Sequence, residues 1–168
     1  SRALAAVEGA VLLVDATQGI QAQTLAHGLS ALEQHLTLIP VINKVDLPNA
    51  DIESCKKQMI DTFGFDDKDI ILASGKTGVG VLDIFKAIIK KVPPPRGDAE
   101  KPLRCLIFDS FFDAYKGVVA QVRVVDGVTP KNQAKIVFLG TKAVGQMLEV
   151  GFFSPQLTPI DGSLEAGD

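Results

Sequence analysis

Apolar positions in the first half of the chain follow two alternating patterns. Ala10 to Ala16 (AVLLVDA) and Leu36 to Ile42 (LTLIPVI) are short apolar runs, as in strands buried on both faces. Between them, residues 19–35 space Ile20, Leu25, Leu29 and Leu32 as the stripe of a helix. Asp51 to Phe63 predicts a second helix through Ile52, Met59, Ile60 and Phe63, with Asp51 as its N-cap and Gly64 just past its end. Asp69 to Ser74 (DIILAS) reads as a third strand. Val81, Ile84, Phe85, Ile88 and Val92 mark a third helix. This order predicts a parallel sheet with helices on both faces.

Pro93 to Pro102 (PPPRGDAEKP) ends that pattern, because three consecutive prolines stop a helix and stiffen the chain. Beyond it the period becomes two. Leu103 to Asp113, Gly117 to Asp126, Lys135 to Leu139 and Val144 to Phe153 read as strands between Gly, Pro and Asn turns. With no helical pattern after residue 102, a small antiparallel β-barrel is expected. The division expected is 1–92, a linker at 93–102, and a second domain at 103–168.

Composition narrows the classes. Of 168 residues, 46% are hydrophobic and 22% charged, which excludes disorder for most of the chain. No apolar run is long enough to span a bilayer, and a secretory leader is not expected. Cys55 and Cys105 stand apart with no CxxC pattern, so a reducing compartment and packing roles are expected for both. A net charge of −3 argues against binding DNA through bulk charge. Residues 101–168 carry seven basic and seven acidic side chains, a balance consistent with docking by shape.

Asn43-Lys44-Val45-Asp46 directly follows the second strand, and Ser74-Gly75-Lys76 directly follows the third. Ligands of open parallel sheets bind beyond the carboxyl ends of strands. Guanine presents two adjacent donors, N1–H and the 2-amino group, and the Asp46 carboxylate can accept from both. Adenine lacks that pair, and leaving a buried polar group unpaired costs about 1–3 kcal/mol, enough to separate the bases. Lys44 can lay its methylene stem along base and ribose, and Asn43 can tie neighbouring loops through its amide. Gly75 offers a backbone N–H for guanine O6, Ser74 can hold Asp46 in position, and Lys76 can cover the other side of the base.

The chain resembles the LepA (elongation factor 4) family of translational GTPases, including its mitochondrial and plastid members. SRALAAVEGAVLLVDATQGIQAQT, IPVINKVDLPNAD, ILASGKTGVG, VPPPRGD and IFDSFFDAYKGVV carry the likeness, in the family's order. The Pro-rich stretch running into IFDSFFD favours LepA over elongation factor G, the TypA group or the tetracycline-protection proteins. The resemblance implies an incomplete α/β GTPase domain of P-loop NTPase type, followed by an incomplete β-barrel domain II. It assigns guanine reading to Asn43, Lys44, Asp46, Ser74, Gly75 and Lys76. It implies GTP or GDP with Mg²⁺, and catalytic and metal-binding residues upstream of residue 1, so none is expected here. It further implies ribosome-dependent GTP hydrolysis in protein synthesis, with ribosomal RNA and proteins as partners. A monomer in the cytoplasm is expected, associated peripherally with the inner face of the cell membrane, or in mitochondria or plastids for an organellar member. The alternatives are another translational GTPase, of elongation factor G or TypA type, or a non-catalytic module that binds guanine nucleotide and ribosome. Two departures stand out: the family's SAK is SGK here, and a barrel-turn Gly is replaced within Thr129-Pro130-Lys131-Asn132-Gln133.

Several patterns mislead. Gly75-Lys76-Thr77 imitates a phosphate loop, but the earlier Gly that loop needs would fall at Ile70. Asp61 to Gly64 spells DxxG after NKxD rather than before it, so a helix end capped by Gly64 is expected. Arg96-Gly97-Asp98 reads as a solvated turn, and His27 and His35 read as surface or packing residues.

Overall fold

The computed structural model describes residues 2–130, 133–153, 155–160 and 162–168; the barrel-turn substitution expected at Asn132 lies outside them. The chain divides into two compact units, Ser1–Pro94 and Pro95–Asp168.

The first unit is a three-stranded parallel sheet in the order β1 (Gly9–Asp15), β2 (Thr37–Asn43), β3 (Ile71–Leu72). Helices α1 (Ala22–Glu33), α2 (Ile52–Phe63) and α3 (Val81–Lys91) alternate with the strands. Two apolar clusters form the core, one on each face. Leu12, Val14, Ala16 and Ile42 meet Cys55 and Met59 of α2, with Phe63 packed beside them. Ile39, Val41 and Ala73 meet Ile84, Ala87, Ile88 and Val92 from α3 and its end. As the central strand, β2 buries four consecutive residues, which is why its sequence is a run rather than an alternation. Helix α1 lies on the α2 face, where Gly28 lets the Phe63 ring approach; a β-carbon there would meet the ring.

The ends of α2 follow their sequence signals. Asp51 accepts a hydrogen bond from Ser54 N–H at 3.0 Å. Gly64 closes the helix in left-handed geometry, φ 74°, its N–H donating to Ile60 carbonyl. The DxxG pattern is thus a helix terminus. Phe85, placed by its spacing on the buried stripe of α3, is 57% exposed and shares an open face with Leu82 and Ile89. The sheet is met by Ile84, Ala87 and Ile88, which leaves position 85 at the stripe's margin.

The second unit contains strands and turns only, among the described residues. β4 (Arg104–Asp113) and β5 (Gly117–Asp126) form a long antiparallel hairpin, β6 (Ala134–Val137) pairs antiparallel with β7 (Val144–Met147), and β8 (Gly151–Phe153) with β9 (Leu157–Pro159). The single strand expected from Val144 to Phe153 is therefore two. β7 pairs back with β6 and β8 forward with β9, so the chain must change partner between them. β9 was not legible, being three residues that include a proline. Cys55 packs as expected, whereas Cys105 is exposed on β4.

Part of the Pro-rich stretch is ordered within this unit. Asp98 N–H donates to the Asp126 carboxylate at 3.3 Å, and the Asp98 carbonyl accepts from Gly127 N–H at 2.9 Å. Arg104 closes on the same carboxylate at 2.7 Å, so Asp98, the last residue of the Arg-Gly-Asp triplet, is held by hydrogen bonds within this unit. Val124 exchanges backbone hydrogen bonds with Gly167 and Asp168, while Thr129 N–H donates to the Leu164 carbonyl and Leu164 N–H to the Thr129 hydroxyl.

Candidate functional site

Parallel pairing brings three strand ends to one edge. Asp15, the last residue of β1, is the register partner of Asn43, the last residue of β2, and Leu72 ends β3 beside Ile42. The loops beyond are stitched together by main chain. Ala16 N–H donates to the Asn43 carbonyl, Ala73 N–H to Ile42, Val45 N–H to Ala73, and Asp51 N–H to Ala16. Segments 43–46 and 73–76 are therefore held together although about thirty residues apart in sequence.

Within this frame the Asn43 side-chain carbonyl accepts from Gly75 N–H at 3.0 Å, which ties the two segments through an amide as its chemistry suggested. Gly75 N–H, the donor expected for guanine O6, thus also donates to the Asn43 side chain. Ser74 is fully buried, and its hydroxyl oxygen accepts from Thr77 N–H at 3.1 Å. Gly78 N–H donates to the Ser74 carbonyl, so the Thr77 and Gly78 amides close a turn on Ser74. The neighbouring Ser74 hydroxyl, with the Lys76 charge as a smaller cause, holds the Asp46 carboxyl below its usual range. Asp46 is exposed and, at neutral pH, an ionised acceptor. Gly75 has ordinary backbone geometry, and a β-carbon there would make only an ordinary contact with Asn43. The alanine of the family's SAK fits this position.

Lys44 has left-handed backbone geometry, φ 64°, uncommon for a residue with a side chain. Its ammonium lies 2.6 Å from the Asp15 carboxylate. The other Asp15 oxygen accepts from Thr17 N–H at 2.9 Å and from the Thr17 hydroxyl at 2.8 Å. The Lys44 bond, then the Thr17 bonds, lower the Asp15 carboxyl from 3.8 to about 2. Asp15 is the residue that sequence reasoning missed. Its signal was a lone carboxylate ending an otherwise apolar strand.

Among the described residues no group of three or more His, Cys, Asp or Glu could hold a metal ion. A parallel sheet thus presents the NKxD segment and the neighbouring SGK segment at its carboxyl edge, and an antiparallel unit follows it. Residues 1–94 match the family described as the elongation factor Tu GTP binding domain, and the chain belongs to that family. It is 51% identical over 168 residues to elongation factor 4 of Aquifex aeolicus and 52% over 169 to that of Clostridium tetani, covering all of this chain and 28% of each relative. Against elongation factor 4 of Aster yellows witches'-broom phytoplasma it is 52% identical over 156 residues, 93% of this chain and 26% of the relative. The chain thus spans little more than a quarter of the relatives' length, and the resemblance to LepA is borne out. Among solved structures, apo translation elongation factor SelB from Methanococcus maripaludis matches with a TM-score of 0.74 at 22% identity, covering 97% of this chain and 35% of that one. That likeness bears out the fold, a GTPase-type α/β unit followed by a barrel-type unit.

Proposed function

We propose that this chain supplies guanine recognition and a ribosome-docking unit to a ribosome-dependent GTP hydrolase of protein synthesis. Residues 1–92 would be the later part of its GTP-binding domain, 93–102 a linker and 103–168 an incomplete barrel domain II. The observation that carries this reading is the tie between Asn43 and Gly75, which holds Asp46 and Lys76 on one loop cluster beyond adjacent strands.

In this reading the Asp46 carboxylate accepts from guanine N1–H and the 2-amino group, and Ser74 fixes its orientation. The stems of Lys44 and Lys76 flank the base. Guanine O6 then takes a donor from the same loop, by sharing the Gly75 N–H with Asn43 or from the next amide, that of Lys76. The arrangement suits guanine because every group faces a partner of opposite hydrogen-bonding sense. The phosphates and Mg²⁺ would be held by residues outside this chain, which also supply catalysis, in keeping with the closed turn at Gly75-Lys76-Thr77. The protein would work as a monomer in the cytoplasm, with peripheral attachment to the inner membrane face, or in a mitochondrion or plastid. No helix among the described residues is long and apolar enough to cross a membrane.

The test is phosphate release by the full-length protein with GTP or ATP, with and without ribosomes. Hydrolysis of GTP that ribosomes stimulate and ATP does not replace is expected. Equal use of ATP, or no response to ribosomes, contradicts the proposal.

A further inference from the structure

Beside the segments that would read the base lies an ion pair that neither motif includes. Asp15 ends β1 opposite Asn43, and its carboxylate meets the Lys44 ammonium at 2.6 Å. Asp15 is held from several directions. Thr17 donates twice to one carboxylate oxygen, leaving the other for Lys44. Beneath it the Cys55 thiol lies 3.8 Å from the Asp15 carbonyl and 3.7 Å from the Ala16 carbonyl, and Asp51 N–H donates to Ala16. The Asp15 side chain is 21% exposed, against 50% for Lys44. A well-fixed anion therefore holds a more mobile cation.

Lysine carries four rotatable side-chain bonds, and a free stem must lose that freedom before it can form a wall of a binding site. Fixing the ammonium at its far end removes much of that freedom beforehand. The left-handed backbone at Lys44 is a second sign of a side chain placed against local preference, as occurs where a binding geometry is over-determined. We propose that Asp15 is a positioning residue for nucleotide binding: it clamps the Lys44 ammonium so that the Lys44 stem stands ready as one wall of the base site.

The proposal rests on the reading of Asn43–Asp46 and Ser74–Lys76 as the base site, and its test separates the two. Dissociation constants for GDP and xanthosine diphosphate are measured on the full-length protein and on Asp15→Asn, Asp15→Glu, Lys44→Met, the Asp15→Asn/Lys44→Met double variant and Asp46→Asn. Asn keeps an acceptor for Thr17 but loses the charge facing Lys44. Asp15→Asn is expected to weaken GDP binding roughly three- to fivefold, the scale of a half-exposed ion pair, with the ratio of the two nucleotides unchanged. Asp15→Glu should recover part of that loss, and in the Lys44→Met background Asp15→Asn should cost nothing further. A merely structural role would weaken both backgrounds alike. Full GDP affinity in Asp15→Asn, or an equal loss with and without Lys44, overturns the proposal while leaving the base site standing. An unaltered nucleotide ratio in Asp46→Asn overturns both.

Discussion

The two units hold themselves together by different means. In the first, Ile39, Val41, Ile42, Val14 and Met59 are essentially inaccessible to water, and an apolar cluster lies on each face of the sheet. In the second, Val124 is the one buried apolar residue among those described, and Asp126 and Thr129 are the buried polar ones. Its hairpins carry large apolar side chains on the outside, including Phe112, Tyr115, Val118, Val137 and Leu139. Stability in the first unit therefore rests on burial, and in the second on ladders and ion pairs such as Arg104–Asp126. The candidate site sits on the buried-core unit, where loop geometry is inherited from a rigid sheet.

Matched truncations probe this difference most strongly. Met59→Ala should cost about 2–5 kcal/mol, because it empties a site with 0% exposure, whereas Val137→Ala, at 58% exposure, should stay within about 0.5 kcal/mol. Chemical denaturation followed by helical circular dichroism for Met59→Ala, and by amide exchange in β6 and β7 for Val137→Ala, checks the pair. Equal effects would erase the contrast.

Acid should act on the first unit through Asp15. Its carboxyl titrates near 2 folded and 3.8 unfolded, so its contribution is full above about pH 4 and is lost as pH falls towards 2. With Lys44 half exposed, about 1 kcal/mol is at stake after screening. Asp15→Asn should flatten that part of the stability-against-pH curve, measured by denaturant melts across this range. A smaller effect of opposite sign is expected at Gly75. Its backbone suits any residue and the space is open, so Gly75→Ala should stabilise by about 0.4–1 kcal/mol, read as a raised melting temperature.

The same contrast explains what could be read from the sequence. In the first unit β2 declares itself because burial on both faces writes a continuous run, whereas β1, expected to be buried likewise, leaves Val11 and Leu13 exposed on one face; Asp51 and Gly64 punctuate α2 by local hydrogen bonding. In the second unit, Val144–Phe153 read as one strand because alternation marks extended backbone and says nothing of the partner on either side. At the site, segments 43–46 and 74–76 were legible because each follows a strand end, and the amide chemistry of Asn43 suggested a tie to a neighbouring loop. Asp15 was not, because its link to Lys44 depends on β1–β2 register, which local pattern does not encode.

Selection of guanine by the Asp46 carboxylate, beside Ser74, is the core of the proposed function. It is tested most directly by equilibrium binding of GDP and xanthosine diphosphate to the full-length protein and to Asp46→Asn. The substitution replaces one acceptor oxygen with a donor amide, which suits the 2-oxo group of xanthine and opposes the 2-amino group of guanine. A loss of GDP affinity and a preference reversed towards the xanthine nucleotide are expected. Unchanged GDP affinity in the variant would contradict that selection.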